Sequence, residues 1–111
     1  MTIAQFIILI FWAHFIGDFI FQTENMSMNK SKDSMVLATH CFAYMIPLLF
    51  INVWWGLLNG LLHFPVDYIT SRITSKLYAK KEYHWFFVVI GFDQAVHMTV
   101  LTMTFCWVFY A

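Results

Sequence analysis

Four long apolar stretches organise this chain, and within three of them a His and an Asp lie four residues apart: His14 with Asp18, His63 with Asp67, and Asp93 with His97. The stretches predict helices over residues 2–22, 35–51, 54–75 and 85–111. Each is near the ~20 residues that a helix needs to cross ~30 Å of hydrocarbon. Two polar segments, 23–34 and 72–84, and a short turn near Asn52 and Val53 separate them. The expected fold class is all-α: an integral membrane bundle of four transmembrane helices forming a single domain over residues 1–111. Four residues is close to one helical turn, so each His–Asp pair points from one helix face.

Composition agrees with a membrane setting. Hydrophobic residues make up 61% of the chain, aromatics 21% and charged residues 11%, whereas soluble domains carry about 25% charged residues. All six Lys and Arg residues fall in the two polar segments, which places both in the cytoplasm and the two termini outside. The expected location is the bacterial inner (cytoplasmic) membrane, multi-pass. Trp54, Trp55, Trp107 and Tyr110 would line the outer interface, and Tyr83 and Trp85 the inner one. A formal net charge of zero argues against nucleic acid, whose phosphates need clustered Lys and Arg. The first span lacks a basic leader and carries His14 and Asp18, so it is expected to stay as a signal anchor. Cys41 and Cys106 lie within spans and are read as packing residues rather than a disulfide.

Depth tests whether the polar residues can meet. At ~1.5 Å per residue, Asp18 and His14 lie roughly 6 and 12 Å from the inner end of the first span, and His40 about 8 Å into the second. On the same scale Asp67 and His63 lie about 8 and 14 Å from the inner end of the third span, and Asp93 and His97 about 12 and 18 Å into the fourth. All fall between the inner interface and roughly the midplane, so one shared site is geometrically allowed. A single His–Asp pair also fits a plain interhelical contact worth about 0.6 kcal/mol. Three pairs plus His40 at matching depth favour a site, because ionisable groups within a span usually face the bundle interior and serve a purpose.

Neutral imidazoles and carboxylates suit a borderline divalent ion. His14, Asp18, His40, His63, Asp67, Asp93 and His97 are the expected ligands, for one ion or two, of zinc, manganese or iron. Asp18, Asp67 and Asp93 are the candidate catalytic carboxylates, one of them as general base. Gln22, Asn59 and Gln94 are candidates to orient ligands or contact substrate, and Lys30 and Lys32 to hold an anionic head group, although the positive-inside pattern alone accounts for both lysines. Pro65 is expected to kink the third span, Gly17 and Gly91 to allow close helix approach, and Gly56 with Gly60 to pack tightly within the bundle. His84, beside Tyr83 and Trp85, reads as interfacial.

The run His14-Phe-Ile-Gly-Asp18-Phe-Ile-Phe-Gln22, followed by Asn29-Lys30, His40, His63-Phe-Pro-Val-Asp67 and Asp93-Gln94-Ala-Val-His97, resembles the small bacterial and phage proteins of domain-of-unknown-function family 3307. The resemblance covers nearly the whole chain and implies an integral membrane protein. A looser similarity of the His and Asp spacing to membrane-bound metal-dependent hydrolases supports that class by analogy.

The resulting expectation is a membrane-embedded metal-dependent hydrolase acting at the inner leaflet on a lipid-linked or amphiphilic phosphate or ester. A proton or metal-ion conduit is the first alternative, but little beyond Thr99, Thr102 and Thr104 continues the polar path outward. A haem protein using His14, His40, His63 and His97 is the second, and it leaves three Asp residues without a role. The expected partners are the lipid bilayer, a lipid-like substrate and a second copy in a homodimer.

Overall fold

A computed structural model describes residues 2–110. Helix α1, Ile3–Phe15, begins at a capping box in which the Thr2 side chain accepts from Gln5 N–H while the Gln5 side chain accepts from Thr2 N–H. It continues into a π-helical turn, Ile16–Ile20, closed by Phe21 N–H donating to Ile16 C=O at 2.8 Å. The segment expected to be a polar loop instead holds a short helix α2, Glu24–Asn29. Thr23 caps it by accepting from Met26 N–H, and the run contains no Gly or Pro to break it.

Asp33 caps α3, Ser34–Leu49, and Asn52 caps α4, Val53–Ala79. Helix α4 runs through Pro65 without a break and continues past Ser75, so the second polar segment shrinks to residues 80–82 before α5, Tyr83–Tyr110. Lys81, with φ 59°, makes the reversal in the left-handed region. The expected end of the fourth element at Ala111 lies outside the described residues. Among the described residues there is no strand, and the fold is all-α.

Helices α3, α4 and α5 pack in sequence order, and α1 closes the arrangement by packing against both α3 and α5. Small residues set the close approaches. A Cβ on Gly17 would meet Tyr44 C=O at 2.7 Å, one on Gly56 would meet Leu49 N at 2.8 Å, and one on Gly60 would meet Met45 Sδ at 2.9 Å. Gly91 has nothing within 4 Å and mediates no close approach, contrary to expectation.

One half of the interior is apolar, formed by Phe6, Ile10, Ala13, Leu48, Trp55, Leu101 and Phe105 around the buried ring of Tyr44. Trp55 Nε1 is satisfied there by Leu101 C=O at 3.1 Å. Large apolar side chains also cover the outside, among them Trp12, Phe42, Trp54, Leu61, Phe87 and Phe92. Two helical stretches, Ile3–Ile20 and Tyr83–Tyr110, are long and apolar enough to cross a membrane, and Ser34–Leu49 is apolar but shorter.

The two glycines beside aspartates should behave differently when changed to Ala. At Gly17 the new methyl meets backbone, which cannot step aside, so Gly17→Ala should cost about 1–3 kcal/mol as overpacking. Gly91→Ala should cost nothing. Chemical or thermal unfolding of the two variants checks this, and equal stabilities would contradict the packing at Gly17.

Candidate functional site

The cluster is built from one or two residues of each long helix. The π turn supplies Asp18, just beyond His14 on α1, while α3 supplies His40, α4 supplies His63 and Asp67, and α5 supplies Asp93 and His97. All seven are buried. Their meeting follows from helical spacing: His63 and Asp67 share a face of α4, and Asp93 and His97 share one of α5.

The tightest part surrounds Asp18. Its Oδ1 lies 3.1 Å from His40 Nε2 and 3.4 Å from His63 Nε2, and those two nitrogens are 3.2 Å apart. Asp67 Oδ2 lies 3.4 Å from His40 Nε2 and 3.8 Å from His63 Nε2. Bonds of 2.0–2.2 Å to a tetrahedral ion put neighbouring ligand atoms about 3.3–3.6 Å apart. The 3.1–3.4 Å spacing among Asp18 Oδ1, His40 Nε2 and His63 Nε2 lies close to that range, so these three donors suit such an ion, with Asp67 Oδ2 beside the two imidazoles.

A second group adjoins it. Asp93 Oδ1 lies 3.1 Å from His97 Nε2, and Asp18, Asp93 and His97 each present a ligand atom within 4.8 Å of the others. Asp18 belongs to both groups; its Oδ1 lies toward His40 and His63, and its Oδ2 is 3.7 Å from His14 Nε2. The ring of His63 packs against both Tyr44, at 3.9 Å, and His97, at 4.0 Å, with interplanar angles of 22° and 21°.

His14 is engaged on both nitrogens. Tyr44 Oη lies 3.0 Å from Nδ1, and Gln94 Oε1 contacts Nε2. The other end of the Gln94 amide donates to Asp93 Oδ2 at 3.1 Å, which fixes its orientation because a carboxylate only accepts. His14 Nε2 therefore donates to Gln94, and in the neutral ring Nδ1 accepts from the Tyr44 hydroxyl. Thr70 Oγ1 donates to Asp93 Oδ1 at 2.6 Å. One hydrogen-bonded chain thus runs Tyr44–His14–Gln94–Asp93–Thr70 and ties all four long helices together.

Lys30, just beyond α2, reaches into the cluster. Its Nζ lies 2.9 Å from Asp67 Oδ2, an ion pair by distance without hydrogen-bond geometry. Three buried carboxylates against this one ammonium leave two negative charges to be balanced by protonated imidazole or by cations, since burying a charge without compensation is costly. A cavity of about 520 Å³ opens above the site, with Asp18, Asp67 and Asp93 among its walls and Gln22, Lys30 and Lys32 beside them.

Other residues fall outside the cluster. The amide of Asn59 donates to Trp55 C=O and to Thr104 Oγ1, both at 2.9 Å, and so ties α4 to α5 instead of reaching a ligand. His84 is exposed and sits edge-on to Trp85. Cys41 and Cys106 are both free thiols. Sequence reasoning missed Tyr44 and Thr70, although Tyr44 lies four residues after His40 and Thr70 three after Asp67, on the faces already marked by those residues.

Fold and site together define an all-α protein organised around a buried histidine–aspartate cluster. The chain belongs to the family described as protein of unknown function, DUF3307, whose model matches residues 6–111 and so spans every residue of the cluster. Comparisons with curated proteins and with solved structures give no match.

Removing the Tyr44 hydroxyl leaves the buried His14 Nδ1 without its donor. Tyr44→Phe should therefore lose roughly 1–3 kcal/mol of stability, while His84→Ala, on the surface, should stay within about 0.5 kcal/mol. Denaturant titration of both variants tests the chain of hydrogen bonds, which an unchanged Tyr44→Phe midpoint would refute.

Proposed function

We propose that this protein is a membrane-embedded metal-dependent hydrolase acting at the inner leaflet on a lipid-linked or amphiphilic phosphate or ester. The observation that carries the reading is the 3.1–3.4 Å spacing among Asp18 Oδ1, His40 Nε2 and His63 Nε2, close to the edges of a tetrahedral coordination shell, with Asp67 Oδ2 3.4 and 3.8 Å from the two imidazoles. These four atoms would hold one zinc, manganese or iron ion. Asp93 and His97, together with Asp18, would hold another. His14 serves this centre by fixing Gln94, and through it Asp93.

A divalent ion in such a site supplies Lewis acidity that polarises a scissile group and makes water a stronger nucleophile. The chain supplies the rest. Asp93 lines the cavity and is aimed by Thr70 and Gln94, so in a one-ion centre it is the carboxylate suited to take a proton from water. The apolar half of the interior excludes water from the far side.

The membrane setting rests on the apolar outer surface and on the two membrane-length helices. In this reading α1, α3, α4 and α5 all cross the bilayer, α2 and residues 80–82 face the cytoplasm, and both termini lie outside. The alternatives fare worse. A conduit needs a polar path beyond His14 and His97, but Thr99, Thr102 and Thr104 donate their hydroxyls to carbonyls of their own helix, and Phe6, Ile10 and Leu101 fill the space between helices. A haem ring would have to enter between imidazoles already stacked at 4.0 Å.

Two measurements test the proposal. Elemental analysis of detergent-purified protein should give stoichiometric divalent metal, with Asp67→Asn and His63→Ala losing at least 10–100-fold in affinity and His84→Ala losing none. Full occupancy in both cluster variants would defeat the metal centre. For topology, a periplasmic reporter fused after Ala111 should be active and a cytoplasmic reporter near Lys80 should be active; the reverse pattern would remove the inner-leaflet substrate.

A further inference from the structure

Lys30 occupies an unusual place. Its ammonium sits 2.9 Å from Asp67 Oδ2, and that same oxygen lies 3.4 Å from His40 Nε2, within the donor set that fits a divalent ion. A metal ion bonded to Asp67 Oδ2 and an ammonium in contact with the same atom would repel each other strongly. One must leave when the other arrives. Lys30 is equipped to leave, because it caps the short helix α2 rather than belonging to a long one, and its flexible stem leads into the cavity that it lines.

The cavity offers the ammonium a new partner. Ser71 is 6% exposed, lines the cavity, and its hydroxyl has no hydrogen-bond partner. Buried hydroxyls are normally satisfied, so an unpaired one facing a cavity suggests a ligand atom. Lys32 lines the same space, while Phe19, Phe86 and Ile90 give it an apolar wall. Charge points the same way: the metal-free cluster with Lys30 carries two excess negative charges when its imidazoles are neutral, and two divalent ions would convert this into two excess positive charges. A phosphate monoester dianion balances that excess.

We propose that Lys30 is an exchangeable internal cation, paired with Asp67 while the centre is metal-free and released by metal to bind, with Ser71, the phosphate of a phosphate monoester carrying an apolar tail. The inference rests on the metal centre proposed above and adds the substrate class and a coupling between metal and substrate. By linkage, the factor by which metal strengthens phosphate binding equals the factor by which phosphate strengthens metal binding.

Dodecyl phosphate is the probe, titrated into purified protein in a neutral detergent, with inorganic phosphate as the second arm. In Lys30→Met, zinc should bind several-fold more tightly because its competitor is gone, while the zinc-loaded variant should bind dodecyl phosphate at least tenfold more weakly. Opposite signs mark exchange; losses in both affinities, or no change in either, would overturn it. Ser71→Ala should weaken dodecyl phosphate several-fold and leave zinc unchanged.

A second variant needs no metal. Asp67→Asn removes the partner of Lys30, so the metal-free variant should bind dodecyl phosphate more tightly than metal-free wild type. An equal or weaker affinity there overturns the exchange itself, whereas absence of zinc binding in wild type overturns the metal reading on which it rests. Inorganic phosphate binding as tightly as dodecyl phosphate would overturn the assignment of an amphiphile.

Discussion

Burying three carboxylates in a bundle of this size is the constraint on which the remainder of the structure depends. Asp18, Asp67 and Asp93 are each shielded from water, and a bare carboxylate in such surroundings costs several kcal/mol. The structure answers by surrounding them with donors drawn from every long helix: imidazoles from α1, α3, α4 and α5, a hydroxyl from α4, an amide from α5, and an ammonium from the segment that follows α2. The helices are thereby bound to one another through polar contacts at one level. Above that level the interior is an open cavity, and below it packed hydrocarbon.

Much of this was legible in the sequence because the relevant geometry is rigid. A helix advances by a fixed rise and angle, so residues four apart share a face, and counting from the basic ends placed seven ionisable groups in the same half of the bundle. The all-α class, the four long helices and the convergence of His14, Asp18, His40, His63, Asp67, Asp93 and His97 follow from those two regularities. The tight packing at Gly56 and Gly60 followed from their spacing as well.

What escaped depends on directions that spacing does not contain. Lys30 was named as a candidate for an anionic head group, but its contact with Asp67 was not foreseen, because a loop lysine has no helical phase to show where its long stem leads. Tyr44 was hidden among many aromatic residues and is distinguished only by the hydroxyl that meets His14. Asn59 shares the stripe of His63 and Asp67, but one more turn along α4 carries it to the level of Thr104, where it holds helices together. Gly91 sits beside Asp93 in sequence but on the outward side of α5, so no neighbour approaches it. Within the segment 23–34, Glu24–Asn29 folded into a helix with Thr23 as its cap, a local effect that polarity alone does not display.

The stack of Tyr44, His63 and His97 has a bearing on motion. An imidazole changes which nitrogen it presents by turning over about its Cβ–Cγ bond, and that turn sweeps out a disc wider than the ring's thickness. With the rings of Tyr44 and His97 packed against it at 3.9 and 4.0 Å, His63 has no room for that sweep unless those neighbours on α3 and α5 give way. Its Nδ1, buried and without a partner, stays turned away while Nε2 stays turned in. The helices therefore act as a brake on a single torsion angle, and the orientation of His63 persists for as long as the bundle remains closed.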